Sequence, residues 1–368
     1  MAYMGGELDR EIMARVGVPS VLRDLRAPGT PDYIGGPDGT SRPPPGFIER
    51  DGLWVPGELL RASEQVIYGR QQHPRGIGYD LGAVTRMRMT ALEHPEWVAA
   101  GLTGLAVWGL SYFCDDADTC VLSGGRPHLA THAGAVTRRR SQGVQSDVSV
   151  YKPDPYCPDL LTVPPVLALT GALRSLTKGE HSWYVLPGTG LSDDDLRAVQ
   201  LIDAVSAIFG TAPDRWPQAC LHQTSRSRLN RLVAFCDQGA ESPMETVLRL
   251  LAGQILPGLV SQLVIYQDGS IADPVHSGAD PSQVGEYRTG RIVARLDLGH
   301  PALKLALQYD GAGHLTAARR DRDSKVNAEL ANLGWHVLRI TYGHLRDPDM
   351  LAATIRDGVD YCQRRTVR

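Results

Sequence analysis

The chain has 368 residues, a formal net charge of −3, 42% hydrophobic and 21% charged residues. That length sustains two or three domains with sizeable cores, and the composition excludes a disordered or fibrous chain. The near-neutral balance excludes a global attraction to nucleic acid, so any such affinity must come from local basic patches.

Cys114, Cys120, Cys157, Cys220, Cys236 and Cys362 are dispersed, with no CxxC pair. That argues against a zinc ribbon or a redox dithiol and for free thiols in a reducing compartment. The opening "MAYMGGELDR" lacks the apolar segment of a signal peptide, and no run of about 18 apolar residues marks a membrane span. A cytoplasmic protein that does not enter a membrane is expected.

In chain order, "LDREIMARVGVPSVLRDL" has helix-like spacing, and residues 25–46 are a Pro/Gly/Asp-dense linker. From Phe47 to Leu81 the pattern is short and mixed: "PGELLRAS" suggests a helix start and "RGIGYDL" a turn and strand. The next stretch, to Leu110, predicts two packed helices broken at His94-Pro95. From Cys120 to Val163 short β-like runs alternate with turn clusters. "VPPVLALTGALRSL" and "DDDLRAVQLIDAVSAIFG" are amphipathic helices, the second with acids where its dipole favours them.

From Arg226 the predicted order is a helix, a turn and a helix, then strands at "SQLVIYQ", "RIVARLDL" and "LKLALQYDG". A helix, the strand "WHVLRITY" and a last helix follow. The expected organisation is an extension and linker over 1–46, a mixed α+β domain over 47–225 and an α/β domain over 226–368.

Acids punctuate the last domain. Along "LKLALQYD", strand alternation puts Leu303, Leu305, Leu307 and Tyr309 on an apolar face, with Lys304, Ala306, Gln308 and Asp310 opposite. A connection of four to six residues would set Asp297 opposite Lys304 to Ala306, with Gln308 about 7–8 Å away on a diagonal. "ESPMETVLRLL" places Glu245 three residues after Ser242 and two after Pro243, the spacing of a capping box with proline at the first helical position. Asp310-Gly311 has an ordinary reading as a strand-ending turn.

Taken together, "AESPMETVLRLL", "RIVARLDLGHPALKLALQYDGAGH" and "RDRDSKVNAELANLGWHVLRIT" hold Ser242, Glu245, Thr246, Arg295, Asp297, Asp310, Gly311, His314, Asp323, Leu330, Gly334, Trp335, Val337, Arg339 and Thr341 in order. In these motifs the stretch from Arg228 to about Thr341 resembles the DUF559-type, very-short-patch-repair-like branch of the PD-(D/E)xK nuclease superfamily. The resemblance implies a restriction-endonuclease-like αβββαβ core and a DNA endonuclease that uses Mg²⁺ (or Mn²⁺), acting in repair or phage defence. It implies Asp297 as the bridging ligand, Glu245 as an outer or second-metal ligand and the Tyr309 carbonyl as a neutral ligand. Asp310 and His314 would orient or deprotonate water. Three departures stand out. Gln308 replaces the family's Glu, Asp310 takes the place of the superfamily's lysine, with Lys325 a migrated replacement, and Val326 stands where a basic residue is usual.

Residues 81–210 resemble the AbiEi-type antitoxin or regulator region, carried by "RMRMTALEHPEWVAAGLTGLAVWGL", "TRRRSQGV" and "LRAVQLIDAVSAIFG"; 47–80 would stand for a degenerate winged helix. Two basic stretches are candidates for DNA-backbone contact: Arg138, Arg139 and Arg140, and Arg226, Arg228 and Arg231. A solvated loop is the alternative for the first. The competing function is a non-catalytic DNA-binding regulator on a degenerate nuclease fold, and a protein-interaction module is a third. A homodimer is one assembly the sequence allows.

Overall fold

The computed structural model describes residues 45–123, 135–139, 149–220, 225–272, 291–311 and 317–366. The expected N-terminal helix and nearly all of the Pro/Gly-rich linker lie outside the described residues. The fold is mixed α/β, and no described helix is long and apolar enough to cross a membrane. All six cysteines are free thiols, four of them buried. Contacts divide the chain into two compact units, one drawn from residues up to Tyr184 and from Asp214–Arg231, the other from Val185–Pro213 and Leu232–Arg368.

In the first unit, β1 (Phe47–Arg50) and β2 (Leu53–Pro56) form an antiparallel hairpin. Asp51 and Gly52 both take positive φ, 49° and 78°, as a two-residue turn matched to strand twist requires. Only a single 3₁₀ turn forms at "GEL", and α1 begins later (Ser63–Gln72). Helix α2 (Ala83–Glu93) stops at His94, which Pro95 excludes from helical geometry. Strand β3 (Val98–Ala99) and helix α3 (Gly101–Val107) follow, then β4 (Thr119–Ser123), β5 (Ala135–Arg139) and β6 (Leu161–Thr162). The sheet order is β5-β4-β3-β6. The chain continues through α4 (Pro165–Thr177), α5 (Asp193–Phe209), α6 (Trp216–Ala219) and α7 (Arg226–Val233). Of these, α5 belongs to the second unit, and α7 to the first as far as Arg231.

Two buried arginines on α2 organise this unit. Arg86 donates to the carbonyls of Leu81, Asp115 and Ala117 and to Thr119 Oγ1, and lies 4.0 Å from the centre of the Tyr79 ring. Arg88 grips Asp154 through two bonds of 2.6 and 2.9 Å. The acidic loop "CDDADT" is likewise tied down. Asp115 accepts from the Ala83 N–H, Asp116 from Arg61, and Asp118 from His73, Arg75 and Tyr79.

The second unit is built on a sheet ordered β11-β10-β9-β7-β8. Its strands are β7 (Val260–Tyr266), β8 (Ile271–Ala272), β9 (Ile292–His300), β10 (Leu305–Asp310) and β11 (His336–Thr341). Neighbours are antiparallel except β10 and β11, which run parallel. Its helices after α5 are α8 (Pro243–Ile255), α9 (Ala317–Asn332), α10 (Tyr342–Arg346) and α11 (Pro348–Thr366). Leu305 and Leu307 join Leu248 and Leu251 of α8 and Leu351 and Ile355 of α11 in one core. Ala306 belongs to a second core with Leu330 of α9 and Trp335, so the alternation expected along "LALQYD" holds.

From sequence, residues 193–209 stand ahead of a boundary near 226, yet α5 folds with the second unit. The cause is polar. Asp203, whose side chain is fully buried, accepts from Thr246 Oγ1 (2.9 Å), Arg249 Nη2 (2.8 Å) and the Asp237 N–H (2.7 Å). Gln200 Nε2 adds a bond to the Pro243 carbonyl (3.0 Å). Removing one partner of a buried ion pair leaves the other uncompensated. In the first unit, Arg88→Ala is therefore expected to cost about 3–5 kcal/mol in urea denaturation, and Arg88→Met with Asp154→Leu to recover most of it.

Candidate active site

Helix α8 is capped by Ser242, with Pro243 in its first turn. Ser242 Oγ accepts the Glu245 N–H (3.3 Å) and donates to Glu245 Oε1 (2.8 Å). Glu245 Oε2 accepts from the Glu241 N–H (3.0 Å) and from Gln262 Nε2 (3.2 Å). The capping geometry is present, and it aims the carboxylate rather than neutralising it. Burial first, then the negative charge of Asp297, push the Glu245 carboxyl up to about 7.

Asp297 sits near the end of β9. The β9–β10 ladder runs from Leu305↔His300 to Leu307↔Leu298. Its next step brings Gln308 opposite Asp297, which corrects the expected pairing of Asp297 with Lys304 to Ala306. A four-residue connection, Pro301–Lys304, sets this register, and Lys304 is its left-handed turn residue (φ 49°), its Nζ donating to the Leu333 carbonyl. Beyond Leu307 the ladder is interrupted because Asp297 Oδ2 itself accepts the Tyr309 N–H at 2.7 Å. Asp297 is held above its ordinary value by burial and by the Glu241 charge, against the opposing Tyr309 N–H and the positive field of Arg339. Glu241 in turn pairs with Arg295 at 2.8 Å.

Gln262 was not among the candidates read from sequence. It is 4% exposed and takes φ 54° in the middle of β7. The β7–β9 register, Ser261↔Leu298 and Leu263↔Leu296, sets it across from Asp297. A buried glutamine within "SQLVIYQ" was the available signal. Non-glycine residues in this conformation are strained, and such strain concentrates at functional sites. Its amide is the link between β7 and the Glu245 carboxylate.

The other candidates fall variously. Gln308 is half-buried and pairs in register with Arg339, whose Nη2 donates to Asn327 Oδ1 (3.4 Å). Asp310 is half-buried at the end of β10, paired with Thr341. Lys325 is exposed on α9, and no hydrogen bond or ion pair ties it to the acids among the described residues. His314 lies outside the described residues. So does Arg140; Arg138 and Arg139 lie on β5, paired with Leu122 and Ser123. On α7, Arg226 and Arg231 are exposed, while Arg228 is half-buried and donates to Thr177 Oγ1 (2.6 Å). These arginines belong to the first unit, the acids to the second. Among the described residues no three His, Cys, Asp or Glu side chains form a metal-holding group. No family model, curated protein or solved structure matches the chain.

Two outcomes follow from the geometry. The folded state binds the Glu245 proton more tightly than an unfolded chain with the ordinary value of 4.5. That stabilisation is complete below pH 4.5 and is lost as pH rises toward 7, a swing on the order of 3 kcal/mol. Glu245→Gln should flatten this part of the stability–pH curve in denaturant titrations, leaving the slope of other buried acids such as Asp203. At position 262 glycine accepts the backbone and alanine does not. Gln262→Gly should therefore melt above Gln262→Ala, by an increment of about 1 kcal/mol.

Proposed function

We propose that the second unit is a Mg²⁺- (or Mn²⁺-) dependent DNA endonuclease of the PD-(D/E)xK type. The observation that carries this reading is a pair of half-buried carboxylates at one place in the sheet: Gln262, across from Asp297, donates to Glu245 at 3.2 Å, and both acids are held above their ordinary values. Two carboxylates near each other and partly shielded from water suit a cation. The order of helix α8, antiparallel strands β7, β9 and β10, helix α9 and parallel strand β11 supports a restriction-endonuclease-like core.

The donor set fits a hard divalent ion, which takes one or two carboxylates together with neutral oxygens and water. Asp297 and Glu245 would hold it, with the Gln308 amide oxygen and the Tyr309 carbonyl as neutral donors. Bound there, the cation would polarise a phosphodiester and lower the pKa of water. The chain's own residues do the positioning. The Tyr309 N–H fixes Asp297, while Ser242 and Gln262 fix Glu245. Asp310, and His314 where the resemblance places it, would orient water. Arg339, beside Gln308, offers its positive field to a phosphate oxygen.

A second reading, a non-catalytic DNA-binding regulator with an AbiEi-like front half, is favoured by one observation: the neutral Gln308 at the register position opposite Asp297. Nicking of supercoiled plasmid with Mg²⁺ or Mn²⁺ separates them. Asp297→Ala is expected to reduce cutting about 100-fold or more, and Gln308→Glu to raise it or lower the cation concentration required. Wild type that cuts no duplex, mismatched or single-stranded DNA, yet binds it with salt dependence, would establish the regulator.

A further inference from the structure

We infer that Gln262 is a positioning residue of the candidate cation site: its buried amide holds the Glu245 carboxylate beside Asp297 so that the pair takes a divalent ion. This role rests on the nuclease reading proposed above and names the residue on which cation affinity at that site depends.

Regular strand alternation would put Leu296 and Leu298 on one face of β9. They do not share one. Leu298 packs with Leu305, Leu307 and, on α8, Leu248 and Leu251, whereas Leu296 packs with Leu263, Ala306 and Trp335. Gly299, paired with Ala306, lies on the Leu296 side, where a Cβ would come 3.3 Å from Leu296 Cδ1. The register Ser261↔Leu298 and Leu263↔Leu296 carries the same change of face into β7. The residues at the change are Asp297 on β9 and Gln262 on β7. Each strand uses one residue for it, so the pairing resumes in step.

A strand residue at φ 54° is ordinarily glycine or asparagine, because a longer side chain is strained there. A buried amide also needs a partner. Gln262 finds its partner on another element, with Nε2 donating to Glu245 Oε2 at 3.2 Å. The helix cap does not require that bond, since Ser242 Oγ already holds Glu245 Oε1 (2.8 Å) and the Glu241 N–H holds Oε2 (3.0 Å). What the amide adds is a tie from the carboxylate to β7, the strand that faces Asp297. Groups that bond to a cation's ligands set their orientation, and losing one typically weakens metal affinity about 10–100-fold.

Gln262→Gly and Gln262→Ala both remove the amide, but only glycine relaxes the backbone, so the pair separates positioning from stability. The full chain is titrated with Mn²⁺ and the free ion followed by electron paramagnetic resonance. Both variants should bind about 10–100-fold more weakly than wild type, and equally, although their melting temperatures differ. Gln262→Asn tolerates the left-handed backbone and carries an amide one methylene short. It should show the same loss, and it carries the test if another variant fails to fold. Affinity that follows melting temperature across the variants would mark a structural role and overturn the inference. Variants that bind Mn²⁺ as wild type does, while Asp297→Ala binds it weakly, would overturn the inference and leave the nuclease reading standing. Wild type that takes up no Mn²⁺, or Asp297→Ala that binds it undiminished, would overturn both.

Discussion

A single side chain standing in for a backbone acceptor shapes the second unit. Asp297 takes the Tyr309 N–H that the β9–β10 ladder would otherwise satisfy strand to strand. The N–H stays bonded, so nothing buried is orphaned, but the pairing ends after Leu307↔Leu298 and Gln308 comes to stand beside a carboxylate. On its other edge β10 continues parallel to β11 as far as Asp310↔Thr341. The sheet is therefore complete on one side of β10 and open on the other, and the acids collect at the opening.

Around that opening Glu245, Glu241 and Asp297 are each steered by a neutral or cationic partner. Glu245 is aimed by Ser242, by the Glu241 N–H and by Gln262; Glu241 is drawn aside by Arg295. Helix α8, which carries Glu245, is fixed in turn by the Asp203–Thr246–Arg249 cluster one turn along. Burial holds Asp203 up to about 6, so this clamp also works against desolvation. Thr246, adjacent in sequence to Glu245, therefore serves the scaffold while its neighbour faces the site. The S-x-x-E-T segment joins a helix cap, a candidate ligand and an anchor within five residues.

Much of this was legible in the sequence because it rests on local chemistry. The capping box, the helix break before Pro95 and the alternation of "LALQYD" each follow from the residues at hand. What escaped depends on distant partners. The register of Asp297 against β10 is set by a four-residue connection whose last residue, Lys304, is left-handed. The strained backbone of Gln262 is imposed by the sheet around it. That α5 belongs to the second unit rests on a carboxylate at 203 meeting residues some forty positions later. In the first unit, Arg86 and Arg88 sit in an apolar helical pattern, and their burial is explained only by the "CDDADT" loop and Asp154.

The glutamine at 308 follows from the charge already present. Glu245 and Asp297 are both pushed toward their neutral forms. A third carboxylate opposite Asp297 would add repulsion where solvent screening is reduced. It would also draw on Arg339, its neighbour across the parallel pair, whose positive field now opposes the rise at Asp297. An amide at 308 keeps an oxygen at that place and leaves Arg339 to Asp297 and Asn327. The substitution thus favours the stability of the cation-free fold over affinity for the cation. In the nuclease reading it describes an enzyme that loads metal only at higher concentration. In the regulator reading it describes a fold relieved of a charge that no ion offsets.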